Sequence, residues 1–359
     1  MQQTNNKPKT AIIMAGGTGG HIFPGLALAE ELRKNGWKVY WMGAPDSMEE
    51  RLVIPKGFDF KKVQFSGVRG KGFKTLVKLP IKIINALYQS WKVINEVKPD
   101  VVIGFGGYIT FPGGLMAKFS GKPLILHEQN SIAGLSNKIL SKIANKIFSA
   151  YPKVLPKGEW IGNPLRTEFL KENSPSVRFE GRSGPLNIVV IGGSLGAKAL
   201  NDTVPKALAL INENIRPIVT HQSGEKQIEE LRKSYQESGV KAELVPFISN
   251  TAEAFAKADL IIARAGASTV TEIAAIGSAA IFIPFPHAVD NHQTFNARFL
   301  SDMGGGWIIQ QKDLEPKMLA EILNNLTRDK LLSYASMAYS QRKIGAVEVM
   351  VNACESLKK

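Results

Sequence analysis

Ala11-Ile-Ile-Met-Ala-Gly-Gly-Thr-Gly-Gly20 and, half a chain later, Ile188-Val-Val-Ile-Gly-Gly-Ser-Leu-Gly196 share one pattern, an apolar run followed by a glycine-rich turn. An unbroken apolar run marks a strand of a parallel sheet, because helices cover both faces of such a sheet. Each stretch therefore reads as strand, turn and helix, and each opens one half of the chain. Further strands are expected at Lys38 to Trp41, Val101 to Gly104, Leu124 to His127 and Ile147 to Ser149, with helical stretches such as Pro24 to Asn35 between them. The second half repeats the alternation at Pro217 to Thr220, Ala242 to Pro246, Leu260 to Ala263 and Ala280 to Ile283. This predicts an α/β protein of two Rossmann-like doubly wound lobes facing across a cleft. A chain of 359 residues also exceeds the usual size of one hydrophobic core. Lys171 to Pro185, rich in Ser, Gly, Pro and charge, reads as a surface linker, with the hinge near Asn163-Pro164. The lobes are expected at residues 1–163 and 164–339, with a helix at about 340–359 packing back on the first.

Composition narrows the class. With 44% hydrophobic residues the chain reads as globular throughout, and 45 Lys and Arg against 31 Asp and Glu give a net charge of +14. Such a balance favours anionic partners. No zinc-finger spacing, RNP-like strand or Arg-rich tail accompanies it, so phosphorylated ligands and anionic lipid are expected, and nucleic acid is not. The single cysteine, Cys354, reads as a packing residue. The apolar run Ala11 to Ala15 is far too short for a signal core or a spanning helix.

Glycine turns between strand and helix let backbone N–H groups approach a phosphate, and the helix N-terminus adds partial positive charge. Three are present: Gly16 to Gly20, Gly104-Phe-Gly-Gly-Tyr108, and Gly192 to Gly196. A dinucleotide dehydrogenase fits poorly, because Ile22 and Ser194 break the Gly-x-Gly-x-x-Gly pattern and Tyr40 to Ala44 lacks the ribose-binding acid. No Gly-Lys-Ser/Thr follows any turn, which argues against a P-loop kinase. His21 closes the first turn, either as a base for a hydroxyl proton or as a histidine bonded to its own turn. Arg264-Ala-Gly-Ala-Ser-Thr-Val-Thr-Glu272 is expected to become helical near Ser268. Glu272 then either completes a capping box with Thr269 or accepts two ribose hydroxyls. His127-Glu-Gln-Asn130 stands at a strand's carboxyl end, where open sheets place ligand groups, and Pro286-His-Ala-Val-Asp-Asn-His-Gln293 forms a second polar loop. Neither has compact metal-ligand spacing, so no metal and no cofactor is expected.

Lys61 to Lys98 carries nine basic residues and one acid, Glu96, interleaved with Phe73, Leu76, Val77, Leu79, Ile81, Ile84, Leu87 and Trp91. The segment suits docking on anionic headgroups, with Val68 to Lys82 as the contacting part; the alternative, an amphipathic helix packed on its own lobe, fits Ile84 to Ile94.

Taken together, Gly16 to His21, Gly104 to Tyr108, His127 to Asn130, Gly162-Asn-Pro-Leu-Arg166, Gly192 to Ala197, Arg264 to Glu272 and His287 to Gln293 resemble the MurG family, the N-acetylglucosaminyltransferases of bacterial peptidoglycan synthesis, over nearly the whole chain. The resemblance implies a GT-B fold, UDP-N-acetylglucosamine (UDP-GlcNAc) as donor and lipid I, undecaprenyl-pyrophosphoryl-N-acetylmuramoyl pentapeptide, as acceptor. It also implies inverting transfer to the muramoyl C4 hydroxyl at the cytoplasmic face of the membrane. Carried over residue by residue, it assigns the donor to Thr18, Gly19, Asn130, Arg166, Ser194, Ile248, Ala267, Thr269, Glu272, His292 and Gln293. It assigns the acceptor pyrophosphate to Gly16, Gly17, Gly20, Gly104, Gly106, Gly107 and Tyr108, and catalysis to His21, with Glu128 as the other candidate base. A lipid glycosyltransferase or a nucleotide-sugar epimerase of the same fold, and a non-catalytic module that binds nucleotide sugar and lipid surfaces, are the rival readings.

Overall fold

The computed structural model describes residues 8–65, 67, 78–193 and 196–357, so Ser194 and residues 68–77 of the basic segment lie outside the described residues. The chain forms two compact units, residues 1–166 with 344–359, and residues 167–343. The sequence expectation had set these limits at 163 and 339.

In the first unit, β1 (Thr10–Met14), β2 (Lys38–Gly43), β3 (Asp59–Lys62), β4 (Val101–Gly104), β5 (Leu124–Glu128), β6 (Lys146–Ser149) and β7 (Glu159–Trp160) form one parallel sheet in the order β3-β2-β1-β4-β5-β6-β7. In the second, β8 (Asn187–Ile191), β9 (Ile218–Gln222), β10 (Glu243–Val245), β11 (Leu260–Ala263), β12 (Ala279–Phe282) and β13 (Gly306–Ile308) follow the order β10-β9-β8-β11-β12-β13. Both are doubly wound sheets, and the strand order reverses between β1 and β4 and again between β8 and β11. Strands β1, β4, β11 and β12 are buried along their whole length, as their apolar runs require. Sequence reading missed β3, β7 and β13. All three are short edge strands with at least partly exposed positions, so they carry no continuous apolar run.

The internal repeat extends to the opposite ends of the strands. Asp100, just before β4, accepts the Thr10 N–H through Oδ2 at 2.8 Å while its own N–H donates to the Thr10 carbonyl at 2.8 Å. Asp259, just before β11, makes the same pair of bonds to Asn187, each at 2.8 Å. Asp259 is fully buried and also bridges Arg182 at 2.7 Å and Arg328 at 3.2 Å. These bonds set the register of each central strand pair.

The helix Ala346–Leu357 returns to the first unit. Met350, Ala353 and Cys354 join Leu28, Ala29, Leu32 and Trp37 in one core, and Glu355 accepts from Trp37 Nε1 at 2.8 Å and pairs with Lys9 at 2.6 Å. Burial pushes the Cys354 thiol up to about 12, as suits an inert packing residue. The helix Leu79–Val97 buries Ala86, Ser90, Val93 and Ile94, yet Ile81, Ile84, Tyr88 and Trp91 form an exposed apolar stripe on it. No described helix is long and apolar enough to cross a membrane.

Each unit also buries a histidine in neutral form. His127 in β5 lies 2.8 Å from the Gly162 carbonyl and 2.9 Å from Gln129 Nε2, and burial holds its pKa down at about 4. His221 in β9 lies 3.0 Å from the Tyr235 hydroxyl and 3.1 Å from Asn201 Oδ1, with its pKa pushed down to about 3 by burial. A folded-state pKa below the ordinary 6.5 means that the unfolded chain binds the proton first. The stabilisation is therefore complete above pH 6.5 and is lost as the pH falls toward 4. Each histidine is expected to steepen the acid loss of stability by about 1.4 kcal/mol per pH unit below that point. Denaturant unfolding of His221→Gln between pH 7.5 and 5 checks this; a slope unchanged from the native chain would contradict it.

Candidate functional site

Both sheets end their central strands in glycine turns at the point where strand order reverses, which is where open α/β sheets bind ligands. In the first unit the Gly16–Gly20 turn follows β1 and the Gly104–Tyr108 turn follows β4, with Phe105 N–H donating to the Met14 carbonyl at 2.8 Å. The two turns touch through backbone. Gly107 has φ of +80°, and a Cβ built there would lie 2.3 Å from the Gly16 carbonyl oxygen, so no other residue fits. Thr110 Oγ1 ties them further, donating within 2.7 Å of the Gly106 carbonyl and 3.2 Å of the Met14 carbonyl.

The helix Gly19–Lys34 begins inside the first turn, with Thr18 at its N-cap. The N–H groups of Gly19 and Gly20 open this helix and point past its end, as an anion site requires. His21 is half-buried in the first helical turn, and its Nδ1 stands 3.1 Å from Thr18 Oγ1. Its Nε2 edge faces Gly106, since a Cβ built on that glycine would lie 3.2 Å from it and 3.3 Å from Asn137 Nδ2.

Asn137 continues to Glu128, donating to Oε2 at 2.9 Å. Glu128 is almost fully buried, and its oxygens also accept from Asn130 N–H at 3.0 Å and Gly134 N–H at 3.0 Å. Burial raises its pKa while these bonds oppose the rise. The His127-Glu-Gln-Asn130 segment is thus largely interior: His127, Glu128 and Gln129 are buried, and Asn130 alone is half-exposed at its end. Tyr108 is half-buried and its hydroxyl donates to Glu49 Oε1 at 2.8 Å; burial, then this bond, raises its pKa. Glu49, a fully buried carboxylate from the helix Met48–Val53, and Asn137 were both missed by sequence reading, which weighed only residues inside the glycine and polar motifs.

In the second unit β8 leads into Gly192 and Gly193, and β11 leads into Arg264. The helix Ala267–Ile276 starts with Gly266 as N-cap and no side-chain cap bond. Glu272 therefore lies in its second turn, half-exposed, and the capping box with Thr269 is absent. Ala267 is buried and Thr269 half-buried at the helix start. Arg264 is half-buried, and its guanidinium donates to the Ile283 and Pro284 carbonyls at 3.0 and 3.2 Å and to Gln311 Oε1 at 2.6 Å. It pins the loop after β12. Further along that loop, Gln293 Oε1 accepts from Phe285 N–H at 2.9 Å, His292 begins the helix His292–Ser301, and Asn296 Nδ2 reaches the Ala265 carbonyl at 3.2 Å. Ile248 is half-buried in the loop after β10, beside the exposed Phe247.

Gln222, buried at the end of β9, links this loop to the first: its Nε2 donates to the Gly193 carbonyl at 3.0 Å and the Pro246 carbonyl at 3.2 Å. Gly196, with φ of +75°, passes so close to Ser223 that a Cβ would lie 1.7 Å from its carbonyl oxygen. Neither Gln222 nor Asn296 announces itself by spacing.

The two units divide the expected site residues. Thr18, Gly19, Asn130 and Arg166 belong to the first, with Arg166 stacked 5.8 Å over Phe23, while Ile248, Ala267, Thr269, Glu272, His292 and Gln293 belong to the second. Among the described residues no group of three or more His, Cys, Asp or Glu is placed to hold a metal ion.

Residues 11–149 match the N-terminal domain of glycosyltransferase family 28, and residues 187–350 match its C-terminal domain. A relative from Paracidovorax citrulli, named UDP-N-acetylglucosamine--N-acetylmuramyl-(pentapeptide) pyrophosphoryl-undecaprenol N-acetylglucosamine transferase, is 61% identical over 98% of this chain and 99% of its own length. One of the same name from Acidovorax sp. strain JS42 is 60% identical over 98% of this chain and 88% of its own. The crystal structure of Acinetobacter baumannii MurG superposes with a TM-score of 0.85 at 38% identity, covering 97% of this chain and 100% of that one. Fold, motifs and full-length identity agree, and the chain belongs to the MurG family of glycosyltransferases.

Proposed function

We propose that this chain transfers N-acetylglucosamine from UDP-GlcNAc to lipid I, forming lipid II in peptidoglycan synthesis. The observation that carries the reading is a glycine turn at the reversal point of each sheet, the kind of position where backbone N–H groups suit an anion, in a chain 61% identical end to end to a transferase of that name. The second unit takes the donor: Glu272 accepts the ribose hydroxyls, the Ile248 backbone meets uracil, and the helix start at Ala267 to Thr269, with Ser194, receives the diphosphate. His292 and Gln293 contact the donor's sugar. The acceptor pyrophosphate lies on Gly16, Gly17, Gly20, Gly104, Gly106, Gly107 and Tyr108.

Transfer is a direct displacement with inversion. The muramoyl C4 hydroxyl forms the new β-1,4 bond as the bond from the anomeric carbon to UDP breaks, and the hydroxyl proton passes to His21. In the tautomer that donates Nδ1–H to Thr18 Oγ1, the lone pair that takes the proton is on Nε2. The leaving diphosphate is held by helix N–H groups. Glu128 spends its lone pairs on Asn130, Gly134 and Asn137, which suits orientation of that loop better than proton transfer.

Membrane docking completes the reading. The stripe Ile81, Ile84, Tyr88 and Trp91, flanked by exposed Lys78, Lys82 and Lys92, extends the basic segment from Val68 to Lys82 and supplies both apolar and cationic contacts for an anionic surface at the cytoplasmic face.

Transfer of labelled N-acetylglucosamine to a short-chain lipid I analogue tests the activity; His21→Ala is expected to lower kcat by about 100-fold or more with donor affinity retained. Absence of product while UDP-GlcNAc still binds would point to another acceptor. For Glu272→Ala, an increase of about tenfold in donor KM with Tm unchanged is expected, from the loss of charged hydrogen bonds. A drop in Tm with donor KM unchanged would assign Glu272 to the helix instead. Ile84→Glu with Trp91→Glu should abolish flotation with anionic vesicles while leaving transfer to a water-soluble acceptor intact, and vesicle binding that survives both changes would sink the docking surface.

A further inference from the structure

We propose that Glu49 is a positioning residue for the acceptor: from beneath the two glycine turns it fixes the orientation of the Gly16–Gly17 peptide and of Tyr108, and so sets which backbone N–H groups face the pyrophosphate. This rests on the reading that these turns hold the acceptor.

Glu49 is fully buried and joins three segments. Its Oε1 accepts from the Tyr108 hydroxyl at 2.8 Å and from Ala44 N–H at 3.2 Å, and its Oε2 accepts from Gly17 N–H at 3.3 Å. A Cβ on Gly16 would lie 2.8 Å from Oε1, so the turn passes directly over the carboxylate. The peptide between Gly16 and Gly17 is therefore held on both edges. Its N–H points to Glu49 and its carbonyl oxygen points to Gly107.

A glycine peptide flips easily, because neither neighbour restricts φ. A flip here would aim the Gly16 carbonyl at a buried carboxylate, two acceptors with no proton between them, at a cost comparable to a lost buried hydrogen bond. Glu49 thus admits one state of the turn. In that state Gly17 N–H is committed inward, and the N–H groups that open the helix at Gly19 and Gly20 are the ones presented outward. The Tyr108 hydroxyl is committed to the same carboxylate, so its ring, and not its hydroxyl, faces the turn; a Cβ on Gly17 would lie 3.5 Å from it.

Glu49→Gln keeps the shape but replaces one acceptor oxygen with a donor, and Tyr108→Phe removes the hydroxyl alone. Each is expected to raise the KM for a lipid I analogue about tenfold while UDP-GlcNAc KM stays within about twofold. Because both cut the same link, the double variant should be no worse than the poorer single one. Inorganic pyrophosphate is the second probe: it should compete with the acceptor in the native chain and compete more weakly in Glu49→Gln. If it competes equally in both, Glu49 has no positioning role while the acceptor assignment stands. If it does not compete with the acceptor in the native chain, the acceptor assignment itself fails. Parallel rises in both KM values with a lowered Tm would reduce Glu49 to a residue of the fold, and independent, multiplying effects of the two substitutions would break the proposed link.

Discussion

A parallel sheet transmits register from one end to the other, and Asp100 and Asp259 set that register where β4 meets β1 and β11 meets β8. A carboxylate that accepts the first N–H of one strand while its own backbone donates to that strand's first carbonyl permits a single alignment. Four or five residues later both strands of the pair run out at the same level. Their glycine turns can then meet backbone to backbone, as Gly16 and Gly107 do. A slip of one residue would separate those turns and reverse every side chain on the strand.

Above the strand ends, the charged and amide side chains are spent mainly on the protein itself. Arg264 holds three acceptors in the segments that follow β12 and β13, Glu128 the donors of three residues, Gln222 two carbonyls and Glu49 two turns and a strand end. A buried polar group left without a partner costs on the order of 1–3 kcal/mol, which makes each of these a strong constraint on loop shape. What these side chains leave open at the strand ends are backbone N–H dipoles at helix starts, an arrangement that suits an anion whose charge is spread over several oxygens.

The parts of this architecture that were legible in the sequence follow from burial. Val101 to Gly104 and Leu260 to Ala263 are uninterrupted apolar runs because helices cover both faces, and the structure forms β4 and β11 over the same residues. The glycine turns were legible because close backbone approach admits little else. The edge strand β3, Asp59 to Lys62, was not, since solvent on one side removes the pattern. Glu49 and Gln222 were invisible for a different reason: each acts across long sequence separation on backbone atoms, which carry no residue identity. The reading of Thr269 and Glu272 as a possible capping box failed because spacing alone does not say where a helix begins; Gly266 starts it three residues before Thr269.

The helix Ala346–Leu357 makes the second unit, in topological terms, an insertion within the first. A chain growing from its N-terminus therefore has the complete sequence of the inserted unit before it has that of the enclosing one. Until residues 346–357 arrive, Leu28, Leu32 and Trp37 lack the Met350 and Cys354 surface that covers them, and Glu355 is not yet present to take the Trp37 indole N–H. The enclosing unit waits on residues 346–357, with apolar surface open to solvent in the interval.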